Sequence, residues 1–248
     1  MKRLTGIFTA LLLTLALAGT ALAHFGMIIA DKDEITQDDK TLNMMISFSH
    51  PFEGHGMNMV KPKALDVYFE GQKTSLLGDL KPAKVMGHDA WSLAYKVKRP
   101  GLYAFAMEPV AYPEPAEDNY IIHYTKIIVD AFGEGEDWNQ PLGLKTEIVP
   151  LTRPFGNYAG NVFQGIVYLD GKPAPFTRVE VEYYNKDGKK QAPNDRMITQ
   201  EVLADGQGVF TFACPWKGYW GFAALSDADY KIEGKDVELG AVLWVEMK

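Results

Sequence analysis

Gly165-Ile166-Val167-Tyr168-Leu169-Asp170-Gly171-Lys172-Pro173, followed by Val179-Glu180-Val181-Glu182-Tyr183, is the passage that decides the fold. The first run is short and apolar and ends at Asp-Gly, a turn pair that lets a strand reverse on itself. The second alternates apolar with charged residues, the period of a strand with one face in a core and the other in water. The same grammar recurs on either side. Strands are predicted over residues 42–49, 64–69, 90–96, 101–108, 120–131, 161–169, 178–184, 208–213, 218–224 and 241–246. Glu70-Gly71, Pro100-Gly101, Asp187-Gly188 and Asp205-Gly206 mark turns between them. Beyond residue 24 no long stretch has helical periodicity, so the expected class is all-β.

Composition sets the outer bounds. Of 248 residues, 47% are hydrophobic and 23% charged, a globular balance that excludes wholesale disorder. The net charge of −7 argues against nucleic acid as a partner, because phosphate binding needs a basic face. One cysteine, Cys214, excludes an intramolecular disulfide and a zinc site built from several thiolates. It precedes Pro215 at a strand end and reads as a buried small hydrophobe.

The first 23 residues read as an export signal. Lys2 and Arg3 precede an apolar stretch over residues 7–17, and Ala21-Leu22-Ala23 has the small-x-small form of a cleavage site. The apolar stretch is shorter than the ~20 residues of a spanning helix, which weighs against the alternative of an uncleaved anchor. A periplasmic location follows, with no stable membrane insertion after cleavage. Two domains are expected beyond it. Residues 24–155 form an amino-terminal β-sandwich. The joint at 150–161, with Pro154, Gly156 and Gly160, leads into a second sandwich over 156–248.

Cleavage after Ala23 makes His24 the first residue, offering an α-amine and a ring nitrogen to one metal ion. All five histidines, His24, His50, His55, His88 and His123, lie in the amino-terminal half. In residues 42–50 the two-residue period puts Leu42, Met44, Ile46, Phe48 and His50 on one face, so His50 ends a strand on its apolar side. His55 follows in a turn mixing imidazole, carboxylate and thioether, a donor menu for nickel, cobalt, copper or zinc rather than calcium or magnesium. His123 shares a strand face with Ile121, Thr125 and Ile127; it is either a ligand or a buried histidine satisfied by the backbone. Glu114, Glu117 and Asp118 precede that strand as possible ligands or orienting acceptors, with Glu114 read as solvated. His88, in the turn Met86-Gly87-His88-Asp89, is the least constrained. The proposed ligand set is His24, through amine and ring, with His50 and His123, completed by His55 or His88. Such donors suit Ni(II), Co(II), Cu(II) or Zn(II), and affinity order alone does not choose among them.

Two resemblances add to this reading. Region 156–248 resembles carboxypeptidase regulatory-like and transthyretin-like sandwiches, so the whole is expected to be two β-sandwich domains of immunoglobulin-like or transthyretin-like kind. Several segments together resemble the exported family described as the periplasmic component of cobalt/nickel ABC-type uptake systems. They are His24-Phe25-Gly26-Met27, His50-Pro51-Phe52-Glu53, the run from Glu114 to Lys126, the run from Gly143 to Pro154, and Glu238-Leu239-Gly240-Ala241-Val242. The resemblance implies a non-enzymatic metal-binding accessory that passes Ni(II) or Co(II) to membrane transporter components. Two other functions stay open: a copper histidine-brace protein, either carrier or oxidative enzyme, and a structural or adhesive module in which the histidines are incidental. Hydrolase chemistry lacks its parts, since neither a nucleophile elbow nor a phosphate-cradling glycine loop is present.

Overall fold

A computed structural model describes residues 24–248; the export signal expected over residues 1–23 lies outside the described residues. The described chain is all-β. It begins with β1 (Phe25–Ala30), β2 (Glu34–Ile35), β3 (Thr41–His50), β4 (His55–Met57), β5 (Ala64–Phe69) and β6 (Gln72–Ser75). There follow β7 (Lys81–Val85), β8 (His88–Lys96), β9 (Gly101–Glu108), β10 (Tyr112–Glu114), β11 (Asn119–Ala131), β12 (Thr146–Pro150) and β13 (Val162–Leu169). The chain closes with β14 (Lys172–Pro173), β15 (Arg178–Tyr183), β16 (Gln200–Leu203), β17 (Val209–Ala213), β18 (Gly218–Asp227) and β19 (Val237–Met247).

These strands make three sheets. A small sheet runs β1-β3-β8-β7, with β4 on β3. A large sheet runs β16-β15-β18-β19-β11-β9-β5-β6, and a third joins β12-β13-β14 with β17. Strands from both expected units, 24–155 and 156–248, enter the large sheet, where β11 and β19 lie parallel from Tyr120↔Val237 to Lys126↔Leu243. Alternation along β18 and β19 then feeds two cores. Ala223, Val242 and Trp244 turn toward the small sheet, among Phe25, Met27 and Ile46. Phe222, Ala224, Ala241, Leu243 and Val245 turn toward the third sheet, among Ile148, Phe163 and Phe210. The two-residue period therefore serves both faces of the same strands.

Each of the ten predicted strands is present, most within a residue or two of the expected ends; β18 and β19 run several residues further. The ten do not include β1, β2, β4, β6, β7, β10, β12, β14 and β16; of these, β1 and β12 are buried almost throughout. Strands buried on both faces have no wet side to alternate with, so they carry no period-two signal. His88, expected in a turn, instead opens β8, with Met86-Gly87 forming the two-residue turn from β7.

The wet face expected on residues 179–183 is corrected at Glu182, which is 1% exposed. The turn after β3 lies over it: Phe52 N–H donates to Glu182 Oε2 at 3.2 Å, and the Thr199 hydroxyl donates to Oε1. Burial pushes the Glu182 carboxyl up to about 8 and that of Glu180 to about 7. Asn185 completes the clamp, donating from Nδ2 to Phe52 O at 3.1 Å and from N to Pro51 O at 3.2 Å.

On the opposite face of β11, Lys126 and Glu147 form an ion pair of 2.6 Å with both side chains almost wholly buried. Glu147 also accepts from Leu142 N at 3.0 Å and Gly143 N at 2.8 Å, tying the loop before β12 to the large sheet. Burial lowers the Lys126 pKa against the pull of Glu147.

Two predictions follow from these buried charges. Lys126→Met should cost ~3–5 kcal/mol in urea unfolding, because it strands a buried carboxylate; Lys126→Met with Glu147→Gln should recover most of that loss. Glu182 has a folded pKa above its unfolded value, so the native state holds more protons between pH ~4.5 and ~8 and stability falls as pH rises through that window. Glu182→Gln should flatten the slope, Glu180 retaining the remainder; an unchanged slope would remove Glu182 as its source.

Candidate metal centre

The centre is assembled by strand β1, whose position is fixed by a residue without a side chain. Gly26 N–H donates to His123 Nδ1 at 3.2 Å, and Gly26 O accepts from Trp244 Nε1 at 2.9 Å. A Cβ at this position would collide with Thr125 Oγ1 and stand 3.0 Å from His123 Cβ. Gly240 has the matching role beneath the imidazole, where a Cβ would lie 2.5 Å from His123 Nε2. Glycines inside strands mark such close approaches.

With β1 seated there, the antiparallel register with β3, starting at Phe25↔Ser49, carries His24 to His50. Their ring centroids are 4.5 Å apart. His24 also stacks on Phe48 at 5.7 Å and 19°. From the other side the β10–β11 hairpin, paired Glu114↔Asn119, delivers a carboxylate, and His24 Nε2 lies 2.8 Å from Glu114 Oε2. Burial holds the His24 ring down to about 4; the rings of His50 and His123 push the same way, against Glu114 and Glu238. The ring is therefore neutral near pH 7, and its contact with Glu114 is an N–H donating to a carboxylate. A neutral ring whose proton sits on Nε2 keeps a lone pair on Nδ1.

The proton on His123 is placed by the same reasoning. Nδ1 accepts from Gly26, so the ring proton lies on Nε2. That atom is buried without a hydrogen-bond partner, with Glu238 Oε1 at 3.7 Å. His123 itself is 1% exposed, and its edge meets the Phe48 ring at 5.6 Å.

Of the five expected ligands, His24, His50 and His123 converge on this end of the sheets. His55 faces His50 across the β3–β4 pair but is exposed. His88 is half-buried over Gly56, its Nδ1 2.9 Å from Met86 O. Glu114, expected to be solvated, is 8% exposed and holds both His24 and, through Oε1, Ala116 N at 2.9 Å. Glu238 was not singled out as a site residue. The usable signals were Gly26 and Gly240, glycines within strand-forming segments, and the two-residue spacing of Glu238 from Gly240. Among the described residues no group of three His, Cys, Asp or Glu side chains stands ready to share one ion. Further donors must come from elsewhere.

No curated protein matches the chain. Among solved structures, the D0–D1 domains of intimin match at 10% identity over 91% of this chain and 100% of that one, with a TM-score of 0.27. A tandem pair of titin immunoglobulin domains matches at 9% identity over 91% and 98%, TM-score 0.21. Salmonella alpha-2-macroglobulin matches at 14% identity over 92% of this chain and 15% of that one, TM-score 0.26. Likenesses this distant carry no functional argument. A family model described as a domain of unknown function, DUF4198, matches residues 21–228, most of the chain, and the protein belongs to that family.

Proposed function

We propose that the protein is an extracytoplasmic binding protein that captures Ni(II) or Co(II) and delivers it to membrane uptake components. The observation carrying this reading is the orientation of His24. Glu114 takes its Nε2–H at 2.8 Å, leaving Nδ1 as the free donor, and Nδ1 is the ring nitrogen that closes a six-membered chelate with the α-amine of the same residue. Cleavage after Ala23 would liberate that amine. It supplies the donor that the side chains lack, and the neighbouring His50 ring supplies another. Glu114 and Glu238 offset the charge of the incoming cation, while His123 holds the strand that carries His24. Neutral nitrogen donors suit a carrier, because protonation releases the metal.

One observation supports a copper reading as well. His55 and His88 stand outside the convergence and His123 Nδ1 is taken by Gly26 N–H, leaving one amine and two rings, the nitrogen set of a histidine brace. Copper(II) would bind this set harder than nickel whatever the natural cargo. Copper-dependent consumption of peroxide with a polysaccharide would favour that reading; its absence would favour capture and delivery.

Nickel(II) titration by calorimetry tests the carrier. A chain beginning at His24 should bind at least tenfold more tightly than one with an extra alanine ahead of it, about 1.4 kcal/mol. Equal affinities would remove the amine. Glu114→Ala should cost roughly 10–100-fold, and His50→Ala more, while His55→Ala and His88→Ala should change affinity little. Nickel affinity indifferent to both Glu114 and His50 would place the ion elsewhere.

A further inference from the structure

The face of the large sheet turned away from the histidines carries an acidic groove. Tyr68, Ala104 and Ile128 lie in one row across β5, β9 and β11. By the two-residue period, Ile128 points to the opposite side of β11 from His123. The β5–β6 turn and the loop after β11 wall a groove of about 980 Å³ over this row. Asp130 fixes that loop from beneath. Its Oδ2 accepts from Gly133 N at 3.0 Å, and a Cβ on Gly135 would stand 2.5 Å from its Oδ1. Asp130 is 5% exposed, and Oδ1 has no hydrogen-bond partner among the described residues.

Three aromatic side chains line the groove: Tyr68, Phe69 and Trp138. Two of them already carry a cation of the chain itself, matched by a carboxylate. Arg99 lies over the Phe69 ring at 4.5 Å and pairs with Glu70 at 2.9 Å. Lys73 Nζ stands 5.7 Å from the Tyr68 ring centre and 3.0 Å from Asp66. Trp138 has the carboxylates without the cation. It is half-buried, and no cation lies over its ring among the described residues. Glu134, Glu136 and Asp137 line the groove beside it, exposed and without an ion-pair partner among those residues.

An aromatic face among carboxylates attracts lysine or arginine, and Asp130 adds to that field from below. A single cation would leave most of the groove empty, since its volume is at the upper end for small-molecule sites. Tyr68, Leu102 and Leu142, each half-buried, offer apolar surface beyond Trp138. An extended chain meets both demands, because its alternate residues point to opposite sides. Apolar residues can face the floor while cations face the rim. We infer that the groove docks an extended basic segment of a partner polypeptide, with a lysine or arginine over Trp138 among Glu134, Glu136 and Asp137. Docking here needs no metal, so it stands apart from the role proposed for His24.

A fluorescein-labelled peptide alternating lysine with tyrosine and leucine tests the inference by anisotropy, against the metal-free chain beginning at His24. It should bind saturably, and the same peptide with glutamate in place of lysine should not. Glu134→Gln, Glu136→Gln and Asp137→Asn together should weaken it roughly tenfold or more. Asp195→Asn, Glu201→Gln and Asp229→Asn remove the same charge at exposed positions elsewhere and should change it less than about twofold. With nitrogen-15-labelled tryptophans, the peptide should shift the Trp138 indole signal, assigned by its loss in Trp138→Phe. Absence of saturable binding would overturn the inference. Equal weakening by the two triple substitutions, shifts confined to other tryptophans, or spermidine binding as tightly as the peptide would also overturn it. Because no metal is added, a failed nickel titration and a failed peptide titration are separate results.

Discussion

The seating of Gly26 against the large sheet is the constraint on which the site depends. One backbone unit donates to the His123 ring and accepts from the Trp244 indole, so two side chains from neighbouring strands of one sheet fix a strand of another. This approach is open only to glycine, because any Cβ would enter the space of Thr125. The position of His24 follows from it. A residue two places earlier in an extended chain has little freedom once its strand is pinned, and the register with β3 sets His50 beside it. The same bond chooses the His123 tautomer and leaves Nε2 as a donor turned toward Glu238.

The layered architecture explains why polar groups lie so deep. β18 and β19 present apolar residues to both sides, and the small sheet covers a face that would otherwise be wet. Carboxylates on that face, Glu182 above all, are therefore enclosed rather than solvated. Glu182 nevertheless organises the turn after His50, through Phe52 N, with Asn185 gripping the same turn. The cost of an enclosed carboxyl is offset by a fixed loop directly after His50. Such exchanges of stability for position are common around functional sites.

Much of this was legible in the chain itself. Strands with one buried and one wet face announce themselves by alternation, and Asp-Gly or Glu-Gly pairs announce the turns, so the ten clearest strands were readable. β1 and β12 were not, because a strand buried on both sides has no period to read. Among the histidines, local context distinguished the rim position of His50 and the strand position of His123, whereas His55, expected in a turn, opens β4 opposite His50. Local context could not reveal Glu114 or Glu238 as neighbours of His24, since each comes from a different strand and only the fold unites them. The glycines at 26 and 240 were the overlooked clue, for a strand interior has little other reason to lack a side chain.

The central claim is that the ring nitrogen turned away from Glu114 is the one that binds. Anomalous diffraction at the nickel edge, from crystals of the chain beginning at His24 and soaked in Ni(II), tests it most directly. The predicted density is a single peak bonded to the His24 amine and Nδ1 and to the His50 ring, with Glu114 still on Nε2. A peak at the His55–His88 side of the small sheet, or one bonded to His24 Nε2 with Glu114 displaced, would contradict it.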